Sequence, residues 1–198
     1  MTEEDRERRE LISKCAFCRV PAPTSEAEEV ERLRKLVEAD NADALHQLAG
    51  HYSNGSFGMQ QDVAKANKLW LKAGELGSAD GYLNLGYSYR VGRGVGVDKK
   101  KATHYYELAA MNGNVSARHN LGCVELEAGN QHRAFKHFML AAKAGDTDSL
   151  DKVKTGFMNG IVTKDEYANI LRAYQERHDE MKSEERNTAD EAFQHIWT

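Results

Sequence analysis

The sequence is poor in the residues that mark secreted or loop-rich proteins. Among 198 residues there are two prolines and three cysteines. So few prolines favour a mostly helical chain, because proline interrupts helices. Three cysteines, an odd number at uneven spacing, do not make the framework of a disulfide-stapled domain. A reducing compartment is therefore expected, either the cytoplasm or the nucleus.

Long apolar runs and an excess of positive charge are also absent. No run approaches the roughly 18 apolar residues of a membrane span, and residues 1–6 lack the basic start and apolar core of a signal peptide. The formal net charge of −4 disfavours nucleic acids and anionic membranes as partners. The expected partner is a protein or peptide, with no nucleic acid and no membrane.

The chain does contain an internal repeat. Two dipeptides and one glycine recur in the same order, at steps of 32 to 37 residues. A period in this range is typical of a solenoid, whose units bury their apolar faces by stacking on neighbours. The recurring positions are Leu48-Ala49, Leu85-Gly86 and Leu121-Gly122, then Lys65-Ala66, Lys101-Ala102 and Arg133-Ala134, then Gly77, Gly113 and Gly145.

Each unit is predicted to form two short helices, with a small residue and an aromatic residue recurring at equivalent places. Small residues allow paired helices to approach closely, and the aromatic residues are predicted to form a column inside the stack. An acidic or amide side chain before each second helix can accept hydrogen bonds from its free amides. The small residues are Ala49, Gly86 and Gly122, the aromatic residues are Trp70, Tyr106 and Phe138, and the capping residues are Asp62, Asp98 and Asn130.

The second unit resembles the Sel-1-like repeat, a close relative of the tetratricopeptide repeat. It contains the family's Leu-Gly, Tyr, Gly-x-Gly-Val, Asp, Lys-Ala, aromatic, Ala-Ala and Gly positions in order. The first unit departs at Ala49, and the third has lost about four loop residues and has Glu125 in place of the tyrosine. The resemblance implies an all-α, right-handed α-solenoid of helix-turn-helix units, and a non-catalytic scaffold or adaptor for proteins.

The flanks of the repeats are predicted to be helical. The expected order is an N-terminal segment (1–24), a helix (25–40), an array (41–162), a capping helix (163–186) and a flexible tail (187–198). Within the array the units cover about 41–77, 78–113 and 114–145, followed by a degenerate half-unit at 146–162. Capping boxes at Ser25–Glu28 and Thr163–Glu166 predict where the two flanking helices begin.

An amide side chain directly precedes the recurring leucine pair, Leu-Ala or Leu-Gly, in each unit. The first helix of each unit is expected to line a concave groove, and an amide offers both a donor and an acceptor to an extended peptide. A solvated polar face would explain the same amides without any partner. The candidate binding residues are His46, Gln47, Asn84, Tyr87, Arg90, His119 and Asn120.

One short motif has the spacing of a metal half-site. Cys15 and Cys18 resemble the end of a RING finger, Cys-Pro-x-Cys-Arg, with Ala16 in place of proline. This resemblance implies an alternative function, a fragment or relative of a RING-type ubiquitin ligase whose repeats recruit substrate. Two ordinary thiols are the competing interpretation, because a zinc ion requires four ligands. No cofactor is expected unless ligands from elsewhere complete the site.

The purified chain should therefore bind no stoichiometric zinc, because Cys15 and Cys18 fill half of a tetrahedral shell. Elemental analysis of the monomer is the measurement. About one zinc ion per monomer would contradict the prediction. A dimer that forms only with zinc would instead show that two chains each contribute the pair.

Overall fold

The computed structural model describes the backbone of residues 26–197 and the side chains of residues 28–184. All regular elements within this range are α-helices. Their bounds are α1 Glu26–Glu38, α2 Ala42–Asn54, α3 Val63–Glu75, α4 Ala79–Val91, α5 Lys99–Met111, α6 Val115–Glu127, α7 Gln131–Lys143, α8 Thr147–Met158 and α9 Lys164–Trp197.

The helices stack in chain order, which confirms the predicted all-α solenoid. Three complete units are formed by α2 with α3, α4 with α5, and α6 with α7, and each helix packs on the next. Helix α9 contacts both α7 and α8 and so covers the C-terminal end. At the other end α1 packs on α2 and buries Val30 and Leu33. We call α2, α4, α6 and α8 the first helices, and α3, α5 and α7 the second helices.

Glycine sits against an aromatic ring where the two helices of a unit meet. A Cβ atom on Gly86 would lie 2.7 Å from Cδ1 of Tyr106, and one on Gly122 would lie 2.5 Å from Cε1 of Phe138. Real Cβ atoms do not approach carbon this closely, so both positions require glycine. The rings of Tyr106 and Phe138 are fully buried, and Trp70 is 5% exposed. The three rings lie in separate core clusters of the described residues, one in each unit.

The predicted helix caps are confirmed at two of three positions. Carboxylate oxygens of Asp62 and Asp98 accept hydrogen bonds from the backbone amide three residues further on, at 2.8 and 3.0 Å. The prediction for Asn130 is wrong, because its side chain makes no capping hydrogen bond. Its amide Nδ2 instead donates to Oε2 of Glu125 at 2.7 Å. Glu125, which stands where the family has a tyrosine, thus binds the Asn130 side chain, and α7 begins without a side-chain cap.

A basic residue of each second helix contacts a side chain of the first helix in the same unit. In two units the contact is between a lysine ammonium and a tyrosine ring, and in the third it is an ion pair. In the third unit, where Glu125 stands in place of the tyrosine, an ion pair thus replaces the contact between lysine and tyrosine. The pairs are Lys65 with Tyr52 at 4.0 Å from the ring centroid, Lys101 with Tyr89 at 5.1 Å, and Arg133 Nε with Glu125 Oε1 at 3.4 Å.

The loop between α4 and α5 folds back onto the first unit. Asn67 Nδ2 donates to the carbonyl oxygen of Arg93 at 2.9 Å, and Arg93 Nη2 donates to that of Ser53 at 3.1 Å. Gly94, with φ of +69°, would place a Cβ 2.9 Å from Val63. The shorter loop at 128–130 makes no described hydrogen bond to α5. The long loop thus joins the first two units in a way that the third lacks.

Helix α9 begins as predicted but is longer than predicted. Thr163 N donates to Oε2 of Glu166 at 2.9 Å, and this backbone hydrogen bond, together with one from the Thr163 hydroxyl, lowers the pKa of Glu166. The helix continues to Trp197, so the predicted end at 186 is corrected. The physical reason is that residues 164–198 contain neither glycine nor proline to terminate it.

The contact between Gly122 and Phe138 can be tested against a matched glycine. Gly122→Ala should destabilise the chain by about 1–3 kcal/mol, because the new methyl group overlaps the ring. Gly50→Ala, where nothing lies within 4 Å of the added atom, should stabilise by about 0.5–1 kcal/mol. Chemical denaturation of both variants measures the two free energies of unfolding. A Gly122→Ala protein as stable as the wild type would contradict the close helix approach.

Candidate functional site

The seven candidate binding residues all lie on first helices. Successive first helices lie side by side along one face of a solenoid, which we call the first-helix face. Tyr87 is 47% exposed and Gln47 is also exposed, whereas the other five are partly buried. The residues are His46 and Gln47 on α2, Asn84, Tyr87 and Arg90 on α4, and His119 and Asn120 on α6.

His46 and Asn84 contact each other across the first two units. Nδ2 of Asn84 lies 2.9 Å from Nε2 of His46. Asn84 can donate this hydrogen bond when Nε2 carries no proton. The bond uses one of the amide's two N–H groups and leaves its carbonyl oxygen as an acceptor. The structure therefore holds the Asn84 side chain in one orientation with hydrogen-bonding capacity left over.

Arg90 forms an ion pair across the second and third units with Glu127. Burial acts to lower the pKa of Arg90, but the hydrogen bond and charge of Glu127 outweigh it and leave that pKa raised. The sequence interpretation missed Glu127. The available signal was the separation of 37 residues, since opposite charges one repeat apart lie on neighbouring units.

Tyr106 lies close to this ion pair from the second helix. Its hydroxyl is buried and has no hydrogen-bond partner with good geometry. Burial raises the pKa of Tyr106, while the neighbouring charge of Arg90 acts in the opposite direction. The Arg90 guanidinium is thus positioned near Tyr106 and Glu127, and its location is fixed by two different units.

His119 is directed towards the fourth half-unit rather than towards the other candidates. Its Nδ1 lies 2.8 Å from Oγ of Ser149 and 3.4 Å from Oδ1 of Asp146, and its Nε2 lies 3.5 Å from Sγ of Cys123. Ser149 and Asp146 were not predicted as partners. Asn120 has no hydrogen-bond partner among the described residues. His119 therefore connects α6 to α8, and Asn120 remains available.

Cys123, His119 and Asp146 form a row of thiol, imidazole and carboxylate, the same groups that some enzymes use to activate a nucleophilic cysteine. A nucleophilic cysteine needs a lowered pKa, so that the thiolate is present near neutral pH. Burial instead raises the pKa of Cys123, although Arg90 and Lys152 act against that rise. The thiol is therefore protonated at neutral pH, and the cluster favours a structural role.

Neither a metal cluster nor a membrane helix is found where the structure can be described. No group of three or more His, Cys, Asp and Glu side chains there could hold a metal ion. No described helix is long and apolar enough to cross a membrane. Cys15 and Cys18 lie outside the described residues, so the zinc interpretation stays a prediction.

The stacked two-helix units define a helical repeat scaffold for protein interactions. The chain belongs to the Sel1 repeat family, whose repeat matches residues 42–78, 79–114 and 115–146, more than half of the chain. Sel1 repeat proteins are protein-interaction modules and are typically non-catalytic. This confirms the resemblance noted from the second unit.

The chain is similar to one curated relative and to two solved structures. The HRD3B component of an ERAD-associated E3 ubiquitin-protein ligase of Arabidopsis thaliana is 33% identical over 115 residues, which are 57% of this chain and 18% of the relative. A Sel1 repeat protein from Oxalobacter formigenes has a TM-score of 0.66 at 23% identity, over 76% of this chain and 64% of its own. A protective antigen of uropathogenic Escherichia coli has a TM-score of 0.69 at 22% identity, and the match covers 91% of this chain and 41% of the antigen. The two structures support the fold alone.

The raised pKa of Cys123 predicts slow alkylation at neutral pH. In a Cys15→Ser/Cys18→Ser chain, the iodoacetamide rate should increase with pH around a midpoint above the value of about 8.5 for a free thiol. Unfolding in urea should restore the ordinary midpoint. Arg90→Ala should raise the folded-state midpoint further, because the arginine charge favours the thiolate. A folded-state midpoint below that of the unfolded chain would support a reactive thiol.

Proposed function

We propose that this chain is a non-catalytic scaffold or adaptor that binds a peptide or helix of a partner protein on its first-helix face. The observation that carries the proposal is the arrangement of seven candidate residues on three successive first helices, with Gln47 and Tyr87 exposed. Side chains from several units can contact several consecutive residues of one partner segment. The site rests on the stacked array, because no single unit contains it.

The partner contacts are proposed to centre on Asn84 and Asn120. Asn84 is oriented by His46 and keeps a free carbonyl oxygen. Asn120 offers a donor and an acceptor that no described residue uses. These groups suit the N–H and C=O groups of a peptide backbone, while Tyr87 offers an exposed ring to an apolar side chain.

Loss of both amides should weaken binding without unfolding the chain. Peptides selected from a random phage-displayed library on the full chain supply the ligand, and fluorescence polarisation measures the affinity. Asn84→Ala/Asn120→Ala should weaken binding about ten-fold or more, since each lost hydrogen bond costs about 1 kcal/mol. The matched control is Asn112→Ala/Asn159→Ala, which removes two exposed amides at helix ends. Circular dichroism should show the same helical content in all proteins.

Two outcomes would contradict this location of the site. The first is equal affinity of the double variant and its control. The second is binding that survives the double change but is lost when residues 188–198 are deleted, which would move the site to the C-terminal end of α9. The proposal expects that deletion to leave the affinity unchanged.

A role in a ubiquitin ligase is the second candidate function. The similarity to the HRD3B component of an E3 ubiquitin-protein ligase supports it, although it covers only 18% of that relative. In this alternative the repeats recruit substrate, and Cys15 and Cys18 are the remnant of a RING finger. The reading frame upstream of Met1 distinguishes the two. Upstream cysteines and histidines that complete the zinc ligands of a RING finger would favour the ligase, and their absence the adaptor.

A further inference from the structure

A pocket of about 370 Å³ lies between α7 and α9, and its lining residues include none from the first helices that carry the candidate site. Its apolar lining is formed by Met139, Leu140 and Ile170. Ile170 is 2% exposed, whereas Leu140 is 48% exposed although it contributes to a concave surface. The pocket therefore presents apolar surface to solvent, and removing this surface from water would favour binding.

Two lysines flank this apolar surface. Lys136 and Lys143 line the pocket, both are exposed, and neither has a carboxylate within 4.0 Å among the described residues. They are seven residues apart on α7, which places them about 10 Å apart along the helix axis, on either side of Leu140. The carboxylate of Glu166, which also lines the pocket, already accepts hydrogen bonds from Thr163. Both ammonium groups are therefore available to an external anion.

Positive charge is concentrated on the second helices, which include Lys136 and Lys143. The second helices contain nine lysines and arginines against two glutamates, in a chain whose net charge is −4. Lys68 and His104 occupy the places in the first two units that Lys136 occupies in the third. A partner segment that extends beyond the pocket would thus meet further basic positions. Such a surface attracts acidic groups, while the negative remainder of the chain repels a long polyanion.

We infer that the α7–α9 pocket binds an acidic segment of a partner protein that carries one apolar anchor side chain. The anchor covers Leu140 and Met139, and carboxylates on both sides of it pair with Lys136 and Lys143. The apolar lining favours this partner over a nucleic acid, whose phosphates would leave the pocket unfilled. This surface is separate from the first-helix face, so either site can exist without the other.

The test uses the full chain and a fluorescent nonapeptide with glutamates on both sides of one central phenylalanine. Fluorescence polarisation at low salt should detect binding to the wild type at protein concentrations up to about 1 mM. Lys136→Glu/Lys143→Glu should weaken it about ten-fold, because two attractions become repulsions. The control Lys152→Glu/Lys154→Glu, on exposed residues of α8, changes the net charge equally and should shift the affinity less than about two-fold.

A second pair of peptides tests the contribution of the apolar anchor side chain. The wild type should prefer the phenylalanine peptide to one with a central serine, and Leu140→Ser should remove that preference while leaving the charge dependence. Asn84→Ala/Asn120→Ala should bind the peptide as the wild type does, which separates this site from the proposed first-helix site.

Four results would overturn the inference. These are no binding of the phenylalanine peptide to the wild type, equal binding of the two peptides, equal losses in the two charge-reversed variants, or tighter Lys136- and Lys143-dependent binding of single-stranded RNA or phosphatidylserine vesicles. The last result would identify a different class of occupant.

Discussion

The close contact between a glycine of a first helix and an aromatic ring of a second helix is the constraint on which the array depends. Gly86 and Gly122 leave no room for a Cβ atom next to Tyr106 and Phe138. The contact recurs between α8 and α7, where a Cβ on Gly156 would lie 2.2 Å from Cε1 of Phe135. In the second and third units, and between α7 and α8, the gap between helices is therefore set by a missing side chain, which allows the helices to stack closely.

The repeat made most of the fold predictable from the sequence. Positions that recur at a fixed step indicate the helix pairs, their small and aromatic core residues and the caps at Asp62 and Asp98, because each of these belongs to the repeated pattern. The prediction for Asn130 failed because of a residue that departs from the family's pattern. Glu125 stands in place of a tyrosine on the preceding helix and accepts a hydrogen bond from Asn130 Nδ2, and the Asn130 side chain does not cap α7. The apolar pattern does not predict the length of α9, because the pattern ends near Met181 whereas the helix contains no glycine or proline and continues to Trp197.

The placement of the candidate residues on first helices was predictable from the sequence, but their side-chain contacts were not. The sequence indicates that Asn84 and Arg90 lie on a first helix, but not which side chain of the next unit each one reaches. Glu127 could have been found by searching for opposite charges one repeat apart. The direction of His119 could not, because Ser149 and Asp146 lie in the degenerate half-unit, where the repeat pattern is weakest.

The loop at residues 91–98 has a mechanical consequence for the array. Its hydrogen bonds from Arg93 to Ser53 and from Asn67 to Arg93 bind the second unit to the first, and the short loop of the third unit makes no such bonds to α5 in the described structure. In a chain of units coupled only to neighbours, thermal opening begins at the junction with the weakest coupling. We therefore expect the first two units to act as one cooperative body. The α5–α6 junction lacks such loop bonds and is crossed by the Arg90–Glu127 ion pair at the surface, so we expect it to open before the first two units separate. Asn84 and Asn120 lie on opposite sides of this junction.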